Sequence, residues 1–112
     1  MRKDEMMKRI ALTDGTGAWF DADKAWDWVE GTEWDGRNQI SLATGSQWSH
    51  ERMYRTPGGR YILKIWNNGG GIDDYELVDA ATAAAWMIRN KVEIEKPKIH
   101  ELESEIAKLE IK

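Results

Sequence analysis

The sequence predicts a single α+β domain, and three observations carry that expectation. Runs at 49–56, 60–66 and 72–78 alternate with Pro57-Gly58-Gly59 and Asn67-Asn68-Gly69-Gly70-Gly71, the pattern of an antiparallel meander. The alanine-rich stretch that follows Asp79 has the composition of a helix. The chain has 112 residues, 41% hydrophobic and 32% charged, which is enough apolar surface for one modest core and too much for a disordered chain. The expected architecture is a small antiparallel β-sheet, a three-stranded meander plus an N-terminal hairpin, with two short helices and an amphipathic C-terminal helix. Residues 1–95 form the α+β domain in this reading and 96–112 the terminal helix.

Each element has its own local reason. Arg9 to Leu12 and Ala18 to Phe20 are short apolar runs flanking Thr13-Asp14-Gly15-Thr16-Gly17. Asp-Gly favours a hairpin turn because glycine takes positive φ without steric cost. Asp21 has the character of an N-cap. Ala22, Ala25, Trp26 and Val29 then share one face at helical spacing, which predicts a helix ended by Gly31, with Trp28 off the stripe. From Thr32 to Trp48 the periodicity is weak. Trp34 to Asn38 reads as a turn, Ile40-Ser41-Leu42 as a short strand and Ala43 to Trp48 as a loop.

In the meander, setting Thr56 opposite Arg60 pairs Met53 with Leu63. Setting Trp66 opposite Ile72 pairs Leu63 with Tyr75 and Tyr61 with Leu77. That register gathers Met53, Tyr61, Leu63, Ile65, Tyr75 and Leu77 on a core face. His50, Arg52, Tyr54, Arg60, Ile62, Lys64 and Trp66 fall on the other face. Asp79 caps a helix to about Asn90, with Ala81, Ala84, Ala85 and Ile88 as its stripe and the Leu63–Tyr75 face as its seat. Val92 and Ile94 alternate with charges and predict a short edge strand. Pro97 suits the first turn of the last helix, where Ile99, Leu102, Ile106 and Leu109 repeat at a/d spacing. So short a helix is marginal alone in water. The expectation is a homodimer to which this stripe contributes.

Composition excludes several classes of function. With no cysteine there is no disulfide scaffold, thiolate metal site or cysteine nucleophile. No apolar run has membrane-spanning length, and the charged start predicts a cytoplasmic protein. A net charge of -4 opposes binding a polyanion through bulk charge. His50 and His100 lie in unlike segments, and Asp73-Asp74 lacks the oxygen spacing of a calcium loop, so no metal is expected. The glycine runs lack the lysine and following helix of a phosphate cradle. No cofactor is expected.

Several motifs carry a resemblance: Leu12-Thr13-Asp14-Gly15, Trp19-Phe20-Asp21, Trp34-Asp35-Gly36-Arg37-Asn38, Ala43-Thr44-Gly45-Ser46-Gln47-Trp48, His50-Glu51 and Tyr54-Arg55-Thr56 with Gly59-Arg60. They resemble a group of small bacterial proteins without assigned activity, some from mobile elements. The similarity runs roughly from Arg9 to Asn90, and the tail after Lys91 departs from it. It implies no reaction, but it singles out the central loop and His50.

His50 and Glu51 are the candidate acid/base pair. Neighbours on a strand point to opposite faces, so His50 would need a carboxylate from the first 48 residues, and a purely structural histidine outweighs a catalytic one. Arg52, Tyr54, Arg60, Lys64 and Trp66 combine cations with rings. Such a face suits a protein partner or stacked single-stranded bases. The competing account is that the N-terminal part folds over it as a second core layer, which seven tryptophans in need of cover favour. Arg37 and Asn38 beside Trp34 either bind a ligand or knit a turn. The function expected is a non-catalytic protein-interaction or regulatory module of a bacterium or its mobile elements, with a small inhibitor of a host or defence system as one form. A single-stranded nucleic-acid binder comes second and a small enzyme using His50 third.

Overall fold

The computed structural model describes residues 8–94 and 98–112. Over these residues the chain is α+β, with eight strands in antiparallel sheets and two helices. Strand β1 (Arg9–Ala11) pairs with β2 (Trp19–Asp21). The turn between them is closed by Asp14, whose carboxylate accepts the Thr16 amide and hydroxyl. Next come β3 (Trp26–Val29), then β4 (Thr32–Trp34) paired with β5 (Gln39–Ser41) as a two-stranded ribbon. Strands β6 (Ser49–Arg55), β7 (Tyr61–Asn67) and β8 (Asp74–Val78) complete a four-stranded sheet in the order β3-β6-β7-β8.

The segment expected as a helix from Ala22 to Gly31 is instead a turn followed by β3. Asp21 caps only the turn, accepting the Asp23 amide at 3.0 Å. Pairing with β6 sets Trp28 opposite Met53 and buries the indole, which is 8% exposed. A helix would have buried Trp26 and left Trp28 outside. Trp and Val favour a half-buried pleated surface, and the vacant edge of β6 decided the matter against the helical spacing.

The register of β6 on β7 sets Met53 opposite Leu63. Strand β8 is one residue away from the expected pairing: Leu63 faces Glu76, Lys64 faces Tyr75 and Ile62 faces Leu77. Tyr75 and Leu77 therefore lie on the face of Tyr54 and Ile62, and Val78 takes the place opposite Tyr61. The expected pairing assumed a single core face, whereas both faces of this sheet are covered. On one side Trp28, Met53 and Tyr61 pack with the helices, and on the other Tyr54 and Ile62 pack with Phe20 of the N-terminal hairpin.

Helix α1 (Ala80–Arg89) starts at Asp79, whose carboxylate accepts the Thr82 amide at 2.8 Å. Its buried residues are Ala83, Ala84, Trp86 and Met87; Ala81, Ala85 and Ile88 of the expected stripe are exposed. The helix is rolled so that its two largest side chains are inside, since they have the most apolar area to remove from water. Val92 and Ile94 form no strand, but both pack against this core. Helix α2 (His100–Leu109) follows, and Pro97 lies outside the described residues. Ile99 and Leu102 are buried in the chain's own core, at 7% and 0% exposure, and Ile106 packs against it. The Tyr61 hydroxyl donates to Glu101 at 2.8 Å, a polar tie between sheet and helix. Leu109 is 47% exposed.

Candidate binding surface

The face carrying Arg52, Tyr54, Lys64 and Trp66 is divided by the N-terminal hairpin. Phe20 lies on Tyr54 with ring centroids 5.1 Å apart and on Tyr75 at 6.1 Å. Tyr54 and Ile62 are thereby buried, so this half of the face is a second core layer. The other half keeps His50, Arg52, Lys64 and Trp66 half-buried.

Arg52 and Lys64 are directly opposite each other across β6 and β7. Like charges so placed repel. Each is neutralised by a carboxylate, Asp27 at 3.4 Å from Arg52 and Asp73 at 3.6 Å from Lys64. The Lys64 ammonium also sits 4.8 Å from the Trp66 ring centre, within cation–π range. The charges of this surface are largely spent on one another. Asp73 acts as that counter-ion. Among the described residues no group of three or more His, Cys, Asp or Glu is arranged to hold a metal.

His50 finds its carboxylate in Glu30, a residue that sequence reasoning did not name. His50 Nδ1 is 2.6 Å from Glu30 Oε2, and Nε2 is 2.8 Å from the Asn68 side-chain nitrogen. An amide nitrogen only donates, so this network assigns Nε2 as acceptor and the proton to Nδ1. The other Glu30 oxygen accepts the Ser41 hydroxyl and the Glu51 amide, both at 2.7 Å. Ser41 Oγ in turn accepts the Ala43 and Thr44 amides. Glu30 is thus the centre of a knot that ties the end of β3, the ribbon and the central loop to β6. A nucleophilic serine needs its hydroxyl on the imidazole. Here Ser41 bonds the carboxylate, and Asn68 holds the free imidazole nitrogen. The mistaken helix concealed this arrangement, because only an extended β3 brings Glu30 beside β6.

Glu51 points the other way, towards α1, and accepts the Trp86 indole N–H at 2.9 Å. Burial pushes its carboxyl above the ordinary range, and the indole bond opposes that shift. Burial likewise raises the Tyr61 hydroxyl, which accepts from Arg55 Nε at 3.2 Å. Arg37 and Asn38 lie in the ribbon turn, where both amides donate to Asp35 at 2.8 Å. The Arg37 side chain is exposed on this turn, on an element separate from the His50 knot.

Among the described residues two surface grooves stand out, and neither is lined by His50 or Arg37. One of about 370 Å³ runs between the N-terminal hairpin and the sheet, with Trp19, Pro57, Ile62 and Leu77 in its wall and Lys24 and Arg60 beside them. The other, about 340 Å³, lies along the ribbon at Trp34, Ile40 and Leu42. Four tryptophans are exposed: Trp19 is 52% exposed, Trp26 44%, Trp34 60% and Trp48 57%. Among the described residues no helix is long and apolar enough to cross a membrane. No family model, curated protein or solved structure matches the chain.

Proposed function

We propose that this chain is a non-catalytic protein-interaction module. The observation that carries the reading is the exposure of four of its seven tryptophans, Trp19, Trp26, Trp34 and Trp48. An exposed indole forgoes a large burial gain, and tryptophan is the side chain most enriched at the energetic centres of protein interfaces. Trp19 and Trp26 each carry an arginine over the ring, Arg9 at 5.1 Å and Arg55 at 5.9 Å, which adds the second residue type enriched there. The nucleic-acid alternative has less support: Tyr54 is buried, Arg52 and Lys64 are ion-paired and the net charge is -4. The enzyme alternative has only His50, whose bonds knit the fold. Capture from a lysate of the native host with wild type, Trp19→Ser and Trp34→Ser tests the proposal. A stoichiometric partner retained by wild type and lost with one variant, at unchanged melting temperature, is the expected result. Equal recovery with all three overturns it.

A further inference from the structure

Strand β8 is an edge of the sheet, and its backbone is only partly occupied. Thr13 covers Tyr75: the Thr13 amide donates to the Tyr75 carbonyl at 2.9 Å, and the Tyr75 amide donates to Thr13 Oγ1 at 3.0 Å. In an antiparallel ladder the N–H and C=O of one residue point the same way, and alternate residues share that direction. Leu77 therefore presents its N–H and C=O outward, as Tyr75 does, and among the described residues nothing meets them. The Leu77 side chain is 42% exposed and lies in the wall of the groove of about 370 Å³, opposite Ile62 and near Trp19. Lys24 and Arg60 flank this groove and are exposed, and neither forms an ion pair among the described residues.

We propose that the β8 edge at Leu77 and the adjoining groove take an extended peptide segment of a partner protein, one that places an apolar side chain two residues from a carboxylate, so that both face the groove. This rests on the reading of the chain as a protein-interaction module. Added to the edge, such a segment exchanges hydrogen bonds with Leu77. Because its side chains alternate, one of them drops into the groove against Trp19 and Ile62. Its carboxylate meets Lys24 and Arg60, the two cations there without an acidic partner. A second copy of this chain is the poorer occupant, because pairing β8 with itself brings together Asp74, Glu76 and the adjacent Asp79, which repel.

The test uses the full chain and blocked hexapeptides of the form Ser-X-Val-Z-Val-Ser, with X as Phe, Leu or Ser and Z as Glu, Gln or Lys. Amide and indole resonances follow binding. The expected result is saturable shifts at Leu77 and Trp19 for X as Phe or Leu, with Glu at Z binding about tenfold more tightly than Lys. Methylating the peptide nitrogens abolishes binding. Arg60→Glu reverses the preference at Z. Leu77→Pro removes an outward N–H, which an edge strand tolerates, and weakens every peptide alike. The proposal is overturned by no shift with any peptide, by affinity indifferent to both Z and N-methylation, or by Leu77 shifts that follow protein concentration alone, which assign the edge to a second copy. Shifts confined to Trp34 or Trp48 also overturn it while leaving the interaction-module reading intact. Equal recovery of the lysate partner with wild type, Trp19→Ser and Trp34→Ser would defeat that reading separately.

Discussion

Gly31 has no room for a side chain. A Cβ there would lie 2.5 Å from the Asn90 carbonyl oxygen and 2.8 Å from Leu42 Cδ1, and the first of these is backbone. Its amide donates to Asn90 Oδ1 at 3.0 Å, and the Asn90 amide donates on to the Trp86 carbonyl, so a nearly fully buried asparagine is satisfied at both ends. Gly31→Ala is expected to cost about 1–3 kcal/mol through overpacking. Gly58→Ala, where the nearest atom is Thr56 Oγ1 at 3.8 Å, is expected to stay within about 0.5 kcal/mol. Urea melts of the two variants make the comparison. Glu51 gives a second expectation at this scale. Its carboxyl is raised in the fold, so the folded state favours the protonated form. Its contribution to stability is full below the ordinary glutamate value of about 4.3 and falls as the pH rises through the folded value. Glu51→Gln keeps an oxygen for the Trp86 indole and removes the charge. The melting temperature of the variant relative to wild type should therefore be higher at neutral pH than near pH 4, and equal differences at both would contradict the assignment.

At the scale of elements, the helices and strands differ in how legible they were. The β6–β7 pairing is written in the sequence because Pro57-Gly58-Gly59 fixes the turn, and the turn fixes the partners. Asp79 marks the start of α1 because a carboxylate ahead of an alanine run has one good use. The extended state of β3 could not be read locally. Ala22, Ala25, Trp26 and Val29 satisfy a helical stripe, and only the free edge of a strand more than twenty residues later rejects it. The β7–β8 register was hidden for a related reason: five residues of Asn and Gly permit several turns, and a sheet covered on both faces offers no polar side to break the tie. Glu30 went unread because its role depends on that same edge. Helix α2 supplies the test at this scale. Leu102 is fully buried, and Leu102→Ala is expected to cost about 2–5 kcal/mol. Leu109 is half exposed, and Leu109→Ala should cost under about 1 kcal/mol by chemical melt. Equal losses would mean that the helix is seated on another face.

For the whole molecule, the arrangement is a sheet with a helix pair on one face and a small hairpin on the other. The two cores share β6 and β7, which send alternate side chains to each: Met53 and Tyr61 to the helices, Tyr54 and Ile62 to the hairpin. Because Ile99, Leu102 and Ile106 are spent on the chain's own core, α2 has little apolar surface left for a second copy. Light scattering at high micromolar concentration is expected to give a mass near the 12.9 kDa of one chain. A doubled mass would show that the residual stripe at Leu109 and the surrounding surface suffice for self-association.

The β4–β5 ribbon has one more consequence. The chain leaves the sheet after β3 and returns to it at β6, and the neck of this excursion is closed where the Leu42 amide donates to the Gly31 carbonyl at 2.9 Å. A loop whose ends are already joined is entropically insulated from the body that carries it. Lengthening it adds a closure cost that grows only with the logarithm of its length, about 0.6 kcal/mol per doubling. The Asp35-Gly36-Arg37-Asn38 tip is therefore a natural graft point, where foreign sequence can be carried without the sheet being asked to accommodate it.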